Sequence, residues 1–369
     1  AVLVNRNLTS AKAASNFLVP SLRRVRSPFA LKDMDAAVNR IYRAITENEK
    51  ILIFGDYDVD GITATAVLLG FFRAIGADVS YYIPHRIKEG YSLQPQHIVN
   101  QILPNRIRLV ITTDCGIGSY EAIAAAGNSG IDVIVTDHHK VPEKIPPAAA
   151  VLNPNRPDCS SGMEPLAGVG VAFALIIALR KYLRDQNFWI DRPEPNLKNF
   201  CDLVALGTIG DIVPLVDENR IFSKTGLDII NSGTRPGIKA LCEVAGISHQ
   251  PAHTEDVSFR LVPRLNAAGR MDHASLALQL LTTDNIDTAR QLAQSLDGFN
   301  NRRRELEQSI LEGILEDYQQ QPDHLKHQTL VKWHPGWHQG VLGIVASRIV
   351  ETYCRPAILI AVAGELGKG

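Results

Sequence analysis

Four short apolar runs rich in β-branched residues constrain the fold most narrowly: Ile51 to Phe54, Val79 to Ile83, Leu109 to Thr112 and Val133 to Thr136. Each has strand length, and the intervening stretches, Thr63 to Ile75 and Ser119 to Ala126 among them, read as helices. Strands alternating with helices imply βαβ units, hence an α/β fold on a parallel sheet. In such a sheet the C-terminal strand ends line one crevice, where ligands bind.

Those strand ends carry the chemistry. The segment "ILIFGDYDVDGITATAVLL" delivers Asp56, Asp58 and Asp60 at alternate positions into a turn, and Gly61 lets the chain enter a helix. Alternate residues of an extended segment point the same way, so at least two of these carboxylates are expected to share one space. The plainer reading is an acidic turn that caps the next helix. Asp114 in "VITTDCG" and Asp137, His138 and His139 in "VIVTDHH" occupy equivalent positions. Crowded carboxylates repel unless a cation neutralises them. Aspartates with one or two imidazoles suit Mn²⁺ or Mg²⁺ better than a thiolate-rich zinc site. Asp211 in "LVALGTIGDIVPL" is a helix cap on its own and a candidate to close the metal shell beside the others. Carboxylates sufficient for two ions point to phosphoester hydrolysis.

Composition removes competing classes. The 369 residues carry a formal net charge of -1, so a polyanion partner would have to be met by local basic clusters. Cys115, Cys159, Cys201, Cys242 and Cys354 form no C-x-x-C pair, which argues against a zinc ribbon or a disulfide framework and fits a reducing cytoplasm. Cys115 reads as a small packed core residue. The longest apolar run, Val169 to Leu179, is short of the ~20 residues that span a bilayer and reads as a buried helix ended by Arg180 and Lys181. "GVGVAF" lacks the spacing of a dinucleotide-binding turn and a strand before it, so an oxidoreductase is disfavoured. The chain begins without methionine and stops at "GELGKG" in mid-pattern, as expected of a fragment.

Further along, "LVPRLNAAGRMDHAS" is polar and irregular and is expected to lie across a face. From Ile286, apolar residues at Ala289, Ala293, Leu296, Phe299, Leu306, Ile310 and Ile314 keep helical spacing, which predicts one long amphipathic connector with Gly298 as its weakest point. "LVKWH", "GVLGIVASRIVETY" and "AILIAVAG" then read as strand, helix and strand of a second α/β unit.

The blocks "DYDVDG", "TTDCG" and "TDHH", in this order, resemble the DHH phosphoesterase superfamily. "IPHRIKEGYSL", "DLVALGTIGDIVPL", "RLVPRLNAAGRMDHA" and "GWHQGVLGIVASRIVE" resemble its RecJ branch of single-strand-specific exonucleases, and the matches span nearly the whole chain. The resemblance implies a helical lead-in over 1–50, a DHH catalytic domain over 51–284, a connector helix over 285–322 and a truncated DHH-associated domain over 323–369. It implies a pair of Mn²⁺ or Mg²⁺ ions held by Asp56, Asp58, Asp60, Asp114, His138 and Asp211, with His139 facing the scissile phosphate and Asp137 orienting its neighbours. Arg86, Arg264, Asn266, Arg270, Ser347, Arg348 and His338 fall in matching blocks and are implied to meet the substrate. For His338, capping the next helix is equally open, and the Arg302–Arg304 patch is either a solvated face or a wall of the DNA groove.

The activity so implied is 5′-to-3′ degradation of single-stranded DNA to mononucleotides in recombination and repair, with helicase and single-strand-binding proteins as partners and no membrane. Two alternatives stand beside it: a phosphodiesterase for short oligonucleotides or cyclic dinucleotides, and a scaffold without catalysis. The glycine- and histidine-rich motif and the OB-type domain of full RecJ proteins do not occur in the sequence.

Overall fold

The structure, a computed structural model, describes residues 2–6, 8–247 and 250–369. Five strands, β1 (Ile51–Gly55), β2 (Val79–Tyr82), β3 (Leu109–Thr113), β4 (Asp132–Thr136) and β5 (Ala150–Leu152), form one parallel sheet in the order β2-β1-β3-β4-β5. The four runs read from the sequence are all strands. β5 was not foreseen, because three residues between proline-containing loops fall below the length of a recognisable run.

Alternate residues of β1 face opposite cores: Ile51 and Ile53 join the larger one, while Leu52 and Phe54 join the smaller. Both faces are therefore covered, which is why β1 and β3 are buried along their whole length and read as continuous apolar runs. The chain passes from β1 to β2 on one side and then crosses back to β3 on the other side of β1, so the strand order reverses there and a crevice opens at the C-terminal ends of β1 and β3.

The helix after β1 spans Val59–Ala74, beginning earlier than the apolar pattern indicates, because Asp58 Oδ1 accepts from the Asp60 and Gly61 amides at 3.0 and 3.2 Å. The strand ends at Gly55, so the three acids are grouped by a strand-to-helix turn and not by the pleat. Gly61 is needed for close approach, since a Cβ there would lie 2.6 Å from Asp56 Cβ. The apolar helix covers Gly168–Asp185 and runs on past Arg180 and Lys181. Both are on its wetter face, where Lys181 pairs with Asp185 and Arg180 with Glu194.

The segment expected to be irregular is instead helical over Val262–Met271, with proline in its first turn. Val262, Leu265 and Ala268 supply its buried side, which its charged residues obscured in the sequence. The connector is one helix, Ile286–Gln320, of 35 residues and about 53 Å. Ala289, Ala293 and Leu296 belong to the large core, and Ile310, Ile314 and Tyr318 to a third core. That third core packs the helix Leu342–Tyr353 against β6 (Leu330–His334) and β7 (Ala357–Ala363), which are parallel, with β8 (Leu366–Lys368) antiparallel to β7. Among the described residues, no helix is long and apolar enough to cross a membrane.

Candidate metal centre

The ends of β1, β3 and β4 bring the predicted acids and histidines together. Donor atoms of Asp56, Asp58 and Asp114 lie within 4.8 Å of one another, as do those of Asp114, His138 and His139, and those of Asp60, His138 and Asp211. Asp114 and His138 each belong to two of these groups, so the clusters overlap. His138 Nε2 is 3.2 Å from Asp114 Oδ1, 3.5 Å from Asp211 Oδ2 and 3.7 Å from Asp60 Oδ2. Asp211 reaches the site as the C-cap of the helix Cys201–Gly210.

Burial makes this arrangement costly without a cation. Asp56 is 4% exposed, Asp60 0% and Asp114 2%, so solvent contributes little to their charge. Burial, with Asp58 beside it, pushes Asp56 up to about 8. Burial and neighbouring aspartates hold Asp60 and Asp114 well above the carboxylate range, and burial and Asp58 lift Asp211 to about 6. Burial, and then the charge on His139, lowers His138 and keeps its imidazole neutral, the form that donates a lone pair. Asp56 Oδ1, Asp114 Oδ1 and His138 Nε2 are buried with no hydrogen-bond partner. Unsatisfied oxygens and a neutral imidazole nitrogen in overlapping groups fit a pair of hard or borderline divalent cations.

The backbone is built around the cluster. Asp60 accepts from the Gly168 and Val169 amides at 2.6 and 2.9 Å, so the helix Gly168–Asp185 aims its N-terminus at the site. A Cβ on Gly168 would lie 2.7 Å from Asp114 Oδ1. "GVGVAF", set aside as a dinucleotide motif, thus supplies the donors that anchor Asp60. Asp114 is held at φ 59°, in the left-handed region. Cys115 is fully buried in the smaller core, as expected of a packing residue.

Asp137 is taken up by the loop around it rather than by the cluster of donor atoms. Its Oδ1 accepts from the His138 and His139 amides and lies 2.8 Å from His139 Nδ1, while Oδ2 accepts from the Ile117 amide. Burial alone would raise its pKa, but these donors outweigh it and lower it. The same hydrogen bond raises His139 to about 9, making it a cation at neutral pH, with its side chain 47% exposed toward the crevice. Asn153 and Asn155 donate to the carbonyls of His139 and His138 at 3.0 and 2.5 Å. These asparagines were not singled out in the sequence, and the proline between them was the available signal of a tight turn.

The remaining candidates divide by partner. Arg86 lies 4.7 Å over the Tyr57 ring and lowers the Asp56 pKa. Arg270 donates to the Gly340 carbonyl at 3.1 Å; burial, then repulsion from Arg86 and Arg303, lowers it to about 10. Arg348 pairs with the buried Glu307 at 2.6 Å, and Arg303 meets the same carboxylate at 3.1 Å. Arg264 is engaged by Asp297 and the Arg260 carbonyl, and Asn266 accepts from the Val59 amide at 2.8 Å. His338 Nδ1 accepts from the Gly340 amide at 3.1 Å, which is the capping reading. Ser347 is exposed and donates to the Gly343 carbonyl. Arg302 and Arg304 are exposed.

Residues 50–208 match the model of the DHH family, N-terminal domain. The chain is 45% identical over 341 residues to the single-stranded-DNA-specific exonuclease RecJ of Salmonella typhimurium, covering 91% of this chain and 59% of that protein. It superposes on a crystal structure of exonuclease RecJ bound to manganese with a TM-score of 0.79 and 36% identity, covering 90% of this chain and 80% of the other. The chain belongs to the RecJ family. A Thermus thermophilus RecJ structure in complex with Mg²⁺ matches with a TM-score of 0.70 and 32% identity, covering 97% of this chain and 47% of that one. The RecJ resemblance read from the motif blocks and the α/β fold are both borne out. The chain spans 59% of the length of the Salmonella relative.

Proposed function

We propose that this chain is the catalytic part of a metal-dependent exonuclease that degrades single-stranded DNA 5′ to 3′ into mononucleotides in recombination and repair. The observation that carries this reading is the overlap of three donor groups through Asp114 and His138, with buried donor atoms left unsatisfied. The RecJ structures bound to manganese and magnesium support the choice of ions.

Asp56, Asp58, Asp60, Asp114, His138 and Asp211 would hold Mn²⁺ or Mg²⁺. When bound, a pair of such ions lowers the pKa of water and polarises the phosphoryl group. His139, cationic through Asp137, offers its Nε2–H to a phosphate oxygen on the exposed side of the crevice. Arg86, Arg270 and Arg348, with Ser347, meet the DNA backbone. Arg264, Asn266 and His338 shape the walls, through Asp297, Val59 and Gly340.

In this reading residues 51–284 form the catalytic domain, 285–322 the connector and 323–369 the start of the DHH-associated domain, after a lead-in over 1–50. The cytoplasm is the compartment, and helicase and single-strand-binding proteins are the partners.

The test is digestion of a 5′-phosphorylated single strand, with Mn²⁺ or Mg²⁺, beside duplex, a 3′-blocked strand and a dinucleotide. Mononucleotide release from the single strand and the 3′-blocked strand is expected. Preference for the dinucleotide would favour a short-oligonucleotide phosphodiesterase instead.

A further inference from the structure

Tyr91 lies between β2 and β3, in a loop whose conformation is tightly determined. Gly90 and Ser92, on either side of it, both have left-handed backbones, at φ 83° and 68°. The buried Ser92 is held there by its hydroxyl, 2.8 Å from Ser119 Oγ and accepting from the Gly116 amide at 3.1 Å. The turn is thus clamped onto the loop that follows Asp114.

What the clamp presents is the Tyr91 ring. Its hydroxyl donates to the Asp114 carbonyl at 3.2 Å, and the same oxygen stands 3.4 Å from His139 Nδ1. The ring meets the His139 imidazole edge-on, with centroids 6.0 Å apart and planes at 72°. Tyr57 supports its other side, at 6.3 Å and 72°, and carries Arg86 over its own ring. Burial, and then the surrounding acids, hold the phenol well above its ordinary range, so it keeps its proton as a donor.

His139 has one strong fixed bond, from Nδ1 to Asp137 Oδ1, and the His138 ring flanks it at 4.7 Å between centroids, so the freedom that remains is a tilt about that bond on the side away from His138. Nearly half of the side chain is exposed, so packing on the solvent side does little to limit that tilt. We infer that Tyr91 is a positioning residue for His139, blocking rotation of the imidazole so that Nε2 faces the scissile phosphate. The inference rests on the phosphodiesterase reading for its consequence and on geometry alone for the contact.

A positioning residue acts through its partner, and the test follows from that. Tyr91→Ala is expected to lower kcat on a single-stranded oligonucleotide roughly a hundredfold with KM little changed, because misplacement of a reacting group by about 1 Å costs that much. Tyr91→Phe, which keeps the ring, should restore most of the loss. In a His139→Ala background the Tyr91→Ala step should cost less than twofold. Mn²⁺ affinity by calorimetry should be the same in the parent, Tyr91→Ala and Tyr91→Phe. Additive losses in the double variant, a parallel fall in Mn²⁺ affinity, or a rise in KM alone would each overturn the inference.

A second readout needs no turnover. In metal-free protein, the ring nitrogen resonances of His139 should report one environment in the parent and exchange between several in Tyr91→Ala. Unchanged resonances sink the role of Tyr91, whereas absent hydrolysis in the parent sinks only the phosphodiesterase reading.

Discussion

Asp137 Oδ1 and His139 Nδ1 lie 2.8 Å apart, and that pairing turns a half-exposed imidazole into a cation at neutral pH. The carboxylate also receives three backbone amides, so it serves at once as a turn former and as the orienter of a charged side chain. Asp137→Asn is expected to lower hydrolysis roughly a hundredfold or more by releasing the imidazole and its charge. Mn²⁺ affinity should fall far less, and titration calorimetry beside turnover separates the two.

Asp114→Asn is expected to abolish metal-dependent hydrolysis and also to stabilise the metal-free protein. Asparagine tolerates the left-handed backbone at this position, and it removes a carboxylate that burial and four other aspartates, Asp60, Asp58, Asp56 and Asp137, disfavour. A gain of about 1–2 kcal/mol in EDTA, read from urea midpoints, is the expected size.

The pH dependence of metal-free stability has a definite sign. Asp56 and Asp211 have folded-state pKa values of about 8 and about 6, above the ordinary 3.8. Their contribution to stability is therefore full below pH 3.8 and is lost as pH rises through those two values. In EDTA, the parent should lose stability relative to Asp56→Asn between about pH 4 and pH 8. A gap that does not change with pH would contradict the assignment.

Metal binding should reverse that loss. At an Mn²⁺ concentration of about 100 times Kd, the linkage stabilises the folded chain by about 2.7 kcal/mol, and thermal denaturation with and without EDTA measures it.

Gly298→Ala is expected to stabilise the connector helix by about 0.5–1 kcal/mol, since the position is exposed, helical and has open space for a Cβ. The urea midpoint is the measure, and an unchanged or lower value would show the glycine to be required.

Much of this site was legible because each donor follows an apolar run that has one plausible structure. The runs fix β1, β3 and β4, and a parallel sheet then places Asp56, Asp114 and His138 at one edge. What could not be read was partner choice among polar groups. Nothing in the spacing says that Asn266 caps Val59, that Asp297 occupies Arg264, or that Asn153 holds the His139 carbonyl. Those contacts join residues from different elements, and only packing decides them. The helix over Val262–Met271 was hidden for a related reason: its apolar side is made largely of small residues, among them Ala267, Ala268 and Gly269, which barely register against its arginines.

The hydrogen bonds from Gly168 and Val169 to Asp60 give that acid a different fate from its neighbours. Asp56 can be lost at the expense of chemistry alone, but loss of Asp60 also uncaps the 18-residue helix that fills the large core. A lineage that abandoned hydrolysis would be expected to shed Asp56 early and to keep Asp60 long after, so that the acid outlives the reaction it served.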